Sequence, residues 1–434
     1  MRFYSTRNPS ITFDPAMAIL RSLPEDNGLF MPERIPLMPE GFFADIRSMQ
    51  LPEIAYEVAV RYFSPEIPAE VIRTIVDDAV NFPVPVKHIH ADTHVLELFH
   101  GPTLAFKDMG ARFMARLMSW LNRNEAEKLT VLVATSGDTG SAVASGFYGV
   151  EGIEVVILYP SGKVSPLQEK QLTTNGGNIR ALEIQGSFDD CQRIVKTAFL
   201  DKELNTRYRL TSANSINIAR LIPQSFYYID ALRQVPEGSI PPVFVVPSGN
   251  FGNLTAGLLA QRSGMPASGF IAATNRNDAV VRYLSGEDYQ PHETIATISN
   301  AMDVGNPSNF VRLLDMFGNE RAQMQHALQA CTFDDEATRS AMRECYSQYG
   351  YMLDPHAAVG WLAWAQLQSG FQNGTPGLIL ETAHPVKFSE VVEETLGVKP
   401  EIPESLLSIM SREKQASLLS SNYSDFLDWM MGKR

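Results

Sequence analysis

After Phe106 the apolar positions recur at Met109, Phe113, Leu117 and Leu121, a three-to-four-residue spacing that lines one face of a helix. The Gly101-Pro102 turn just before this pattern leaves Lys107 at the mouth of that helix. Farther along, the pattern changes to short apolar-rich runs at 129–134, 155–159, 179–184, 243–246 and 270–273, with helix-like stretches at 141–148, 189–199 and 253–262 between them. Short runs of this kind are strands buried in a parallel sheet. A strand, a helix and a second parallel strand require a right-handed crossover, so the alternation predicts a doubly wound α/β architecture with ligands at the carboxyl ends of its strands. Residues 322–349 read as a further amphipathic helical stretch and 378–380 as a late buried strand.

The first part of the chain is different. It is rich in Pro and acidic residues, with helical patches at 54–63 and 68–80 and a turn at Asp26-Asn27-Gly28 that leads into a short apolar segment. The expected organisation is an N-terminal domain at 1–95, a smaller α/β domain at 96–230 that contains the Lys107 helix, and a larger α/β domain at 231–434 that shares segments with 96–120.

With 434 residues, 44% of them hydrophobic and 20% charged, the chain is long enough for two or three soluble domains. A formal net charge of -13 with no basic run argues against general affinity for nucleic acid or anionic membrane, so an anionic ligand needs a local cationic pocket. The three cysteines, Cys191, Cys331 and Cys345, are far apart and lack metal-ligand spacing, which fits reduced thiols. The first residues lack the apolar core of a signal peptide and no later apolar run is long enough to span a bilayer, so a cytoplasmic location is expected. In extended chain His88 and His90 would share a face with Asp92, and His94 lies nearby. No fourth ligand is evident, and a metal site is not expected there.

Lys107 draws attention because an ammonium at a helix N-terminus faces positive partial charge, whereas Asp108 beside it suits that end. A lysine hemmed in by Leu104, Phe106 and Phe113 loses preference for its charged form and becomes a better nucleophile, as an imine-forming lysine must be. Three polar turns then follow strands or open helices. Thr135-Ser136-Gly137-Asp138-Thr139-Gly140 and Ser248-Gly249-Asn250-Phe251-Gly252-Asn253 both combine glycines with polar side chains, as an oxyanion nest at a helix start does. The second is neither a Walker loop nor the triple-glycine dinucleotide fingerprint. In the third, 212–220, Asn214, Ser215 and Asn217 donate hydrogen bonds and Arg220 supplies a guanidinium fork suited to a phosphate dianion. On local grounds Ser215 equally reads as a helix cap and Arg220 as a solvated residue. Lys163 is another cation, at the carboxyl end of a strand. No carboxylate pair for glycoside hydrolysis and no serine nucleophile elbow is present. One amine nucleophile with two separate oxyanion sites points to pyridoxal 5'-phosphate, which needs both a lysine imine and a phosphate cradle.

These segments, with Asp26-Asn27-Gly28-Leu29-Phe30-Met31-Pro32, the run 97–108, Gly162-Lys163-Val164-Ser165-Pro166 and Thr382-Ala383-His384-Pro385-Val386-Lys387-Phe388, resemble the threonine synthase family over nearly the whole chain. That family lies within the tryptophan-synthase-β-like group of pyridoxal-phosphate enzymes. The resemblance implies a fold-type-II α/β structure and an active lysine at Lys107. It implies that Gly249, Asn250, Phe251, Gly252 and Asn253 cradle the cofactor phosphate, that Asp138 lies by the phenolic oxygen, and that Thr382 faces the pyridine nitrogen, with Glu381 a rival for that place. An aspartate beside a phenolate repels it unless one of them is protonated or a lysine intervenes.

The implied substrate is O-phospho-L-homoserine, converted with water to L-threonine and phosphate by γ-elimination and hydration at Cβ. Ser136, Gly137 and Thr139 would meet its carboxylate or phosphate, and Asn214, Ser215, Arg220 and Lys163 its phosphate. A phospho-lyase that releases 2-oxobutyrate and a non-catalytic binder of phosphorylated metabolites are the alternatives. The implied assembly is a monomer or homodimer.

Overall fold

A computed structural model describes residues 1–433 of the chain, which fold into three sheets flanked by helices. The N-terminal sheet has the order β2-β1-β3, with β1 (Phe3–Ser5) antiparallel to both β2 (Asn8–Phe13) and β3 (Phe30–Pro32). The larger sheet joins β4 (Val86–His90), β5 (Thr93–Glu97), β10 (Val243–Pro247), β11 (Gly269–Thr274), β12 (Leu328–Thr332) and β13 (Gly377–Glu381) in the order β12-β11-β10-β13-β5-β4. It is parallel except for the edge strand β4. The smaller sheet is wholly parallel, with β6 (Leu129–Ala134), β7 (Ile153–Pro160), β8 (Ile179–Gln185), β9 (Arg209–Ser212) and β14 (Ser417–Ser420) in the order β14-β8-β7-β6-β9. Every residue of β6, β10 and β13 is buried, as strands covered by helices on both faces must be.

Three sequence expectations change. The stretch 322–349 is not one helical run: helix Arg321–Ala327 is followed by β12, then by helix Asp335–Tyr349. Leu328–Thr332 carries no strong period of its own, and it is extended because it pairs residue by residue with β11 from Phe270 to Thr274. The domain boundaries also shift. β4 and β5 belong to the larger sheet, and β14 crosses back from the end of the chain to pair with β8. Finally, the β4–β5 hairpin is irregular between His88 and His90, and their rings part company. The His88 ring meets His94 at 5.0 Å between centroids, while His90 stacks on Tyr349 at 4.4 Å.

No helix among the described residues is long and apolar enough to cross a membrane. The helix Pro355–Leu367 is apolar on nearly all sides because it lies across β10, β11 and β13. Buried Leu406 packs with Leu104, Leu167 and Val386, so the segment beyond residue 397 covers the loop that leads to Lys107 before it reaches β14.

Candidate active site

Lys107 is the first residue of helix Lys107–Asn122. The loop before it is stapled by Asp108, whose carboxylate accepts from the Thr103 N–H at 2.8 Å and the Thr103 hydroxyl at 2.6 Å. Leu104 takes a left-handed conformation with φ 58°, and Phe106 N donates to the carbonyl of Thr382 at 2.9 Å. These contacts fix the Lys107 backbone between the smaller sheet and the end of β13. The Lys107 amine lies 5.2 Å from the centre of the Phe106 ring and 3.6 Å from Asp138 Oδ2. Phe113, expected beside it, instead lies in the core against Phe63 and Phe226, since six residues, about 1.7 helical turns, carry it along and around to another face. Burial, with help from Arg220 and Lys387 and against the pull of Asp138, brings Lys107 down to about 8.

Asp138 opens helix Asp138–Phe147 at the carboxyl end of β6. The turn before it is closed by Thr135, whose hydroxyl accepts from the N–H groups of Gly137 at 2.9 Å and Gly140 at 2.8 Å. Ser136 and Thr139 remain half-exposed at the opening. Asp138 Oδ1 accepts from Gln168 Nε2 at 2.9 Å and lies 2.9 Å from Lys387 Nζ. Burial alone would push the Asp138 carboxyl up, but Lys387, Lys107 and the Gln168 amide outweigh it and hold the group well below the usual carboxylate range.

The loop 248–253 connects β10 to helix Gly252–Arg262, with Phe251 held left-handed at φ 58°. A Cβ on Gly249 would stand 2.6 Å from Met302 Cα, so only glycine lets this loop lie against the 300–302 turn. The first intrahelical bond runs from Thr255 N to Phe251 O at 3.0 Å, leaving the N–H groups of Gly252, Asn253 and Leu254 at the open end of the helix. Asn253 Oδ1 accepts from Tyr227 and Tyr228, each at 2.7 Å, while its buried Nδ2 has no partner among the described residues. The Asn250 side chain is committed to neighbouring loops, donating to Ser215 Oγ at 2.7 Å and accepting from Ser308 N at 2.6 Å.

The third turn is brought against the second. Ser215 Oγ also accepts from Asn309 Nδ2 at 3.1 Å, and Asn214 Nδ2 donates to the carbonyl of Ala134 at the end of β6. The cap of helix Ile218–Leu221 is Asn217, not Ser215; its Oδ1 accepts from Ala219 N at 2.9 Å and its amide ties the carbonyls of Ile19 and Ser212. Arg220 is buried rather than solvated. Its Nη1 donates to Ala213 O at 2.6 Å, its Nε is buried without a partner among the described residues, and burial lowers it to about 10. The segment comes this close because a Cβ on Gly110 would stand 2.6 Å from the Arg220 carbonyl oxygen. Lys163 is the exception. It sits exposed in the turn after β7, with no contact to the Lys107 cluster.

Thr382 follows β13 directly, and its neighbour Glu381 is turned to other partners. The Glu381 carboxyl accepts from the Tyr351 hydroxyl and from Asp354 N, and burial together with Asp354 and Glu97 raises it well above the ordinary carboxylate range. Side chains alternate along a strand, which sends Thr382 the other way, next to the backbone it shares with Phe106.

Against known families, residues 85–381 match the model for pyridoxal-phosphate dependent enzymes, residues 2–80 that for the threonine synthase N terminus, and residues 357–426 that for the threonine synthase C-terminal region. A threonine synthase of Escherichia coli K12 is 44% identical over 407 residues, covering 94% of each chain, and one of Serratia marcescens is 42% identical over 433 residues, covering 100% of this chain and 99% of its own. The chain belongs to the pyridoxal-phosphate-dependent threonine synthase family. Among solved structures, a threonine synthase from Escherichia coli superposes over the full length of both chains with a TM-score of 0.93 at 42% identity, and the PLP-bound threonine synthase from Brucella melitensis with 0.92 at 33%, covering 100% of this chain and 99% of that one.

Within this threonine synthase family member, sequence reasoning passed over Lys387, Gln168, Asn309 and Arg312. Lys387 carried the one available signal, a lone charge between Val386 and Phe388. Arg312 carried none, yet it is fully buried and donates to Phe30 O at 3.1 Å, Ser215 O at 3.0 Å, Ile216 O at 2.6 Å and Asn309 Oδ1 at 2.6 Å. It fixes the 215–216 loop to β3.

Proposed function

We propose that the chain converts O-phospho-L-homoserine and water to L-threonine and phosphate, with pyridoxal 5'-phosphate attached through Lys107. The observation that carries this reading is the largely buried Lys107 amine, 3.6 Å from Asp138, in a chain that offers two separate candidate oxyanion sites, the open helix start at 249–253 and the unpartnered Nε of buried Arg220. Identity of 42–44% along almost the whole chain to proteins named threonine synthase supports it.

The residues present suit the cofactor. Gly249, Asn250, Phe251, Gly252 and Asn253 would hold its phosphate: the helix start supplies N–H donors, Asn253 Nδ2 is an unpartnered donor, and no Cβ intrudes at 249. Asp138 would lie by the phenolic oxygen and Thr382 by the pyridine nitrogen. When bound, the cofactor supplies an aldehyde for covalent attachment and a ring that withdraws electrons from the substrate Cα.

The protein does the rest. A Lys107 amine near 8 is partly unprotonated at neutral pH, so Nζ accepts a proton from the substrate carbon and returns it later. Arg220 stays cationic, and its unpartnered Nε offers a bond to the substrate phosphate, whose charge is roughly -1.5 to -2. Asn214 and Ser215 position the loop beside it, and Ser136 and Thr139 at the start of helix Asp138–Phe147 receive the carboxylate, while Gly137, its N–H taken by the Thr135 hydroxyl, shapes the turn. Lys163 would reach the phosphate only by a movement of its turn. The roof formed by Leu406 on Leu104 and Val386 keeps water off the Lys107 loop.

The deciding assay follows phosphate release and product identity from O-phospho-L-homoserine. Threonine in equal amount to phosphate is expected; 2-oxobutyrate instead would make the chain a phospho-lyase. Borohydride reduction of the cofactor-loaded chain with no pyridoxyl adduct on Lys107 would leave only a binder of phosphorylated metabolites.

A further inference from the structure

Asp138 stands between two lysines, and they hold it unequally. Lys387, in the short turn Pro385–Phe388, is fully buried, and its Nζ meets Asp138 Oδ1 at 2.9 Å, the Thr103 carbonyl at 2.9 Å and Gln171 Oε1 at 3.1 Å. Three acceptors satisfy the three N–H bonds of an ammonium, so its position is fixed and no hydrogen is left over. Lys107 Nζ, by contrast, is 3.6 Å from the other oxygen, outside hydrogen-bond range. The remaining charged neighbours are Asp108, which acts on Lys387 from the first turn of the Lys107 helix, and Arg220, which acts on Lys107. One carboxylate therefore serves two cations, and the fixed one takes the better share.

We propose that Lys387 is a positioning residue: its buried ammonium claims the Asp138 carboxylate, so that Asp138 does not close onto Lys107 Nζ and the Lys107 side chain stays free to act as an amine. The inference rests on Lys107 being the attachment lysine, and it assigns a function to a side chain that touches neither the attachment point nor the phosphate cradle. It also answers the repulsion between Asp138 and a phenolate, because the intervening ammonium lies on Asp138 itself. A neutral hydrogen-bonding residue at 387 would staple the same three segments but would lack the charge. The two roles are therefore separable.

The test uses the full-length chain freed of cofactor, and reads the pH dependence of acetylation of Lys107 by mass spectrometry. The wild-type midpoint should lie at about 8. Lys387→Gln keeps donors toward Asp138 and Thr103 but removes the charge; it should raise the midpoint by at least about one unit, so that acetylation at pH 7 slows roughly tenfold. Lys387→Arg keeps the charge and should leave the midpoint within about 0.3 unit of wild type. Thermal melts confirm that each variant is folded, and Lys387→Met repeats the charge removal if the Gln variant is not. An unchanged midpoint in Lys387→Gln, or a rise in Lys387→Arg as large as that in Lys387→Gln, overturns the proposal and leaves Lys387 a staple. No cofactor or substrate enters the measurement, so its outcome is independent of whether threonine is the product.

Discussion

Replacing Gly249 with alanine tests the phosphate cradle by geometry alone. The added Cβ would stand 2.6 Å from Met302 Cα and 3.1 Å from its carbonyl carbon and oxygen, where ordinary contact begins at 3.4 Å. One backbone must therefore retreat by about 0.8 Å. Neither yields easily. Met302 N is bonded to Ser299 O at 2.9 Å and Ala301 N to His356 Nε2 at 3.1 Å, while Ser248 N is tied to Ala273 O at 2.8 Å. A displacement approaching 1 Å of N–H groups that must converge on one phosphate weakens binding about 100-fold, or about 2.7 kcal/mol. Global stability should fall by only about 1–3 kcal/mol, the usual range for a strained overpacked site. The assay is an absorbance titration of cofactor-free protein with pyridoxal phosphate, set against Gly370→Ala, where the Cβ meets nothing within 4 Å. Binding by Gly249→Ala within about threefold of wild type would refute the cradle, since a threefold change is only about 0.7 kcal/mol.

Three further outcomes follow from contacts described above. Arg220→Met should lower kcat/KM for O-phospho-L-homoserine by about 2–5 kcal/mol of transition-state free energy while leaving cofactor affinity near wild type; an equal loss in cofactor binding would assign Arg220 to the cofactor instead. The largely buried Lys107 has a lower proton affinity folded than unfolded, so between about 8 and 10.5 the unfolded chain binds more protons and stability of the cofactor-free protein rises with pH. The gain approaches about 3 kcal/mol across that window and should vanish in Lys107→Met, as measured by urea unfolding at a series of pH values. Arg312→Met strips donors from the carbonyls of Phe30, Ser215 and Ile216, and should cost about 2–4 kcal/mol in urea unfolding and raise KM as the 215–216 loop loosens; an unchanged KM would show that the loop holds itself.

The parallel architecture was legible because its strands are short apolar runs that owe little to distant partners, as at 129–134 and 243–247. β12 was not, because Leu328–Thr332 is a strand only by virtue of β11. The site divides in the same way. Lys107, Asp138 and the 249–253 loop sit at element boundaries, where turn residues mark themselves in the sequence. Lys387 and Arg312 act from 249 and 97 residues away, at Asp138 and Ser215; beyond the lone charge between Val386 and Phe388, nothing local announces a buried cation whose acceptors are carbonyls and a remote carboxylate. The Ser215 cap failed for a related reason: its hydroxyl was already taken by Asn250 and Asn309, and Asn217 filled the position.

Arg312 has a further meaning for how such chains can be recombined. One guanidinium clasps the main chain of β3 and the main chain at Ile216, so the first thirty residues are wired to the candidate site without supplying any of its proposed side chains. A chimera that grafts a foreign N-terminal module onto this body would inherit every reactive group intact. It would still misfire wherever the graft shifted the Phe30 carbonyl off its donor.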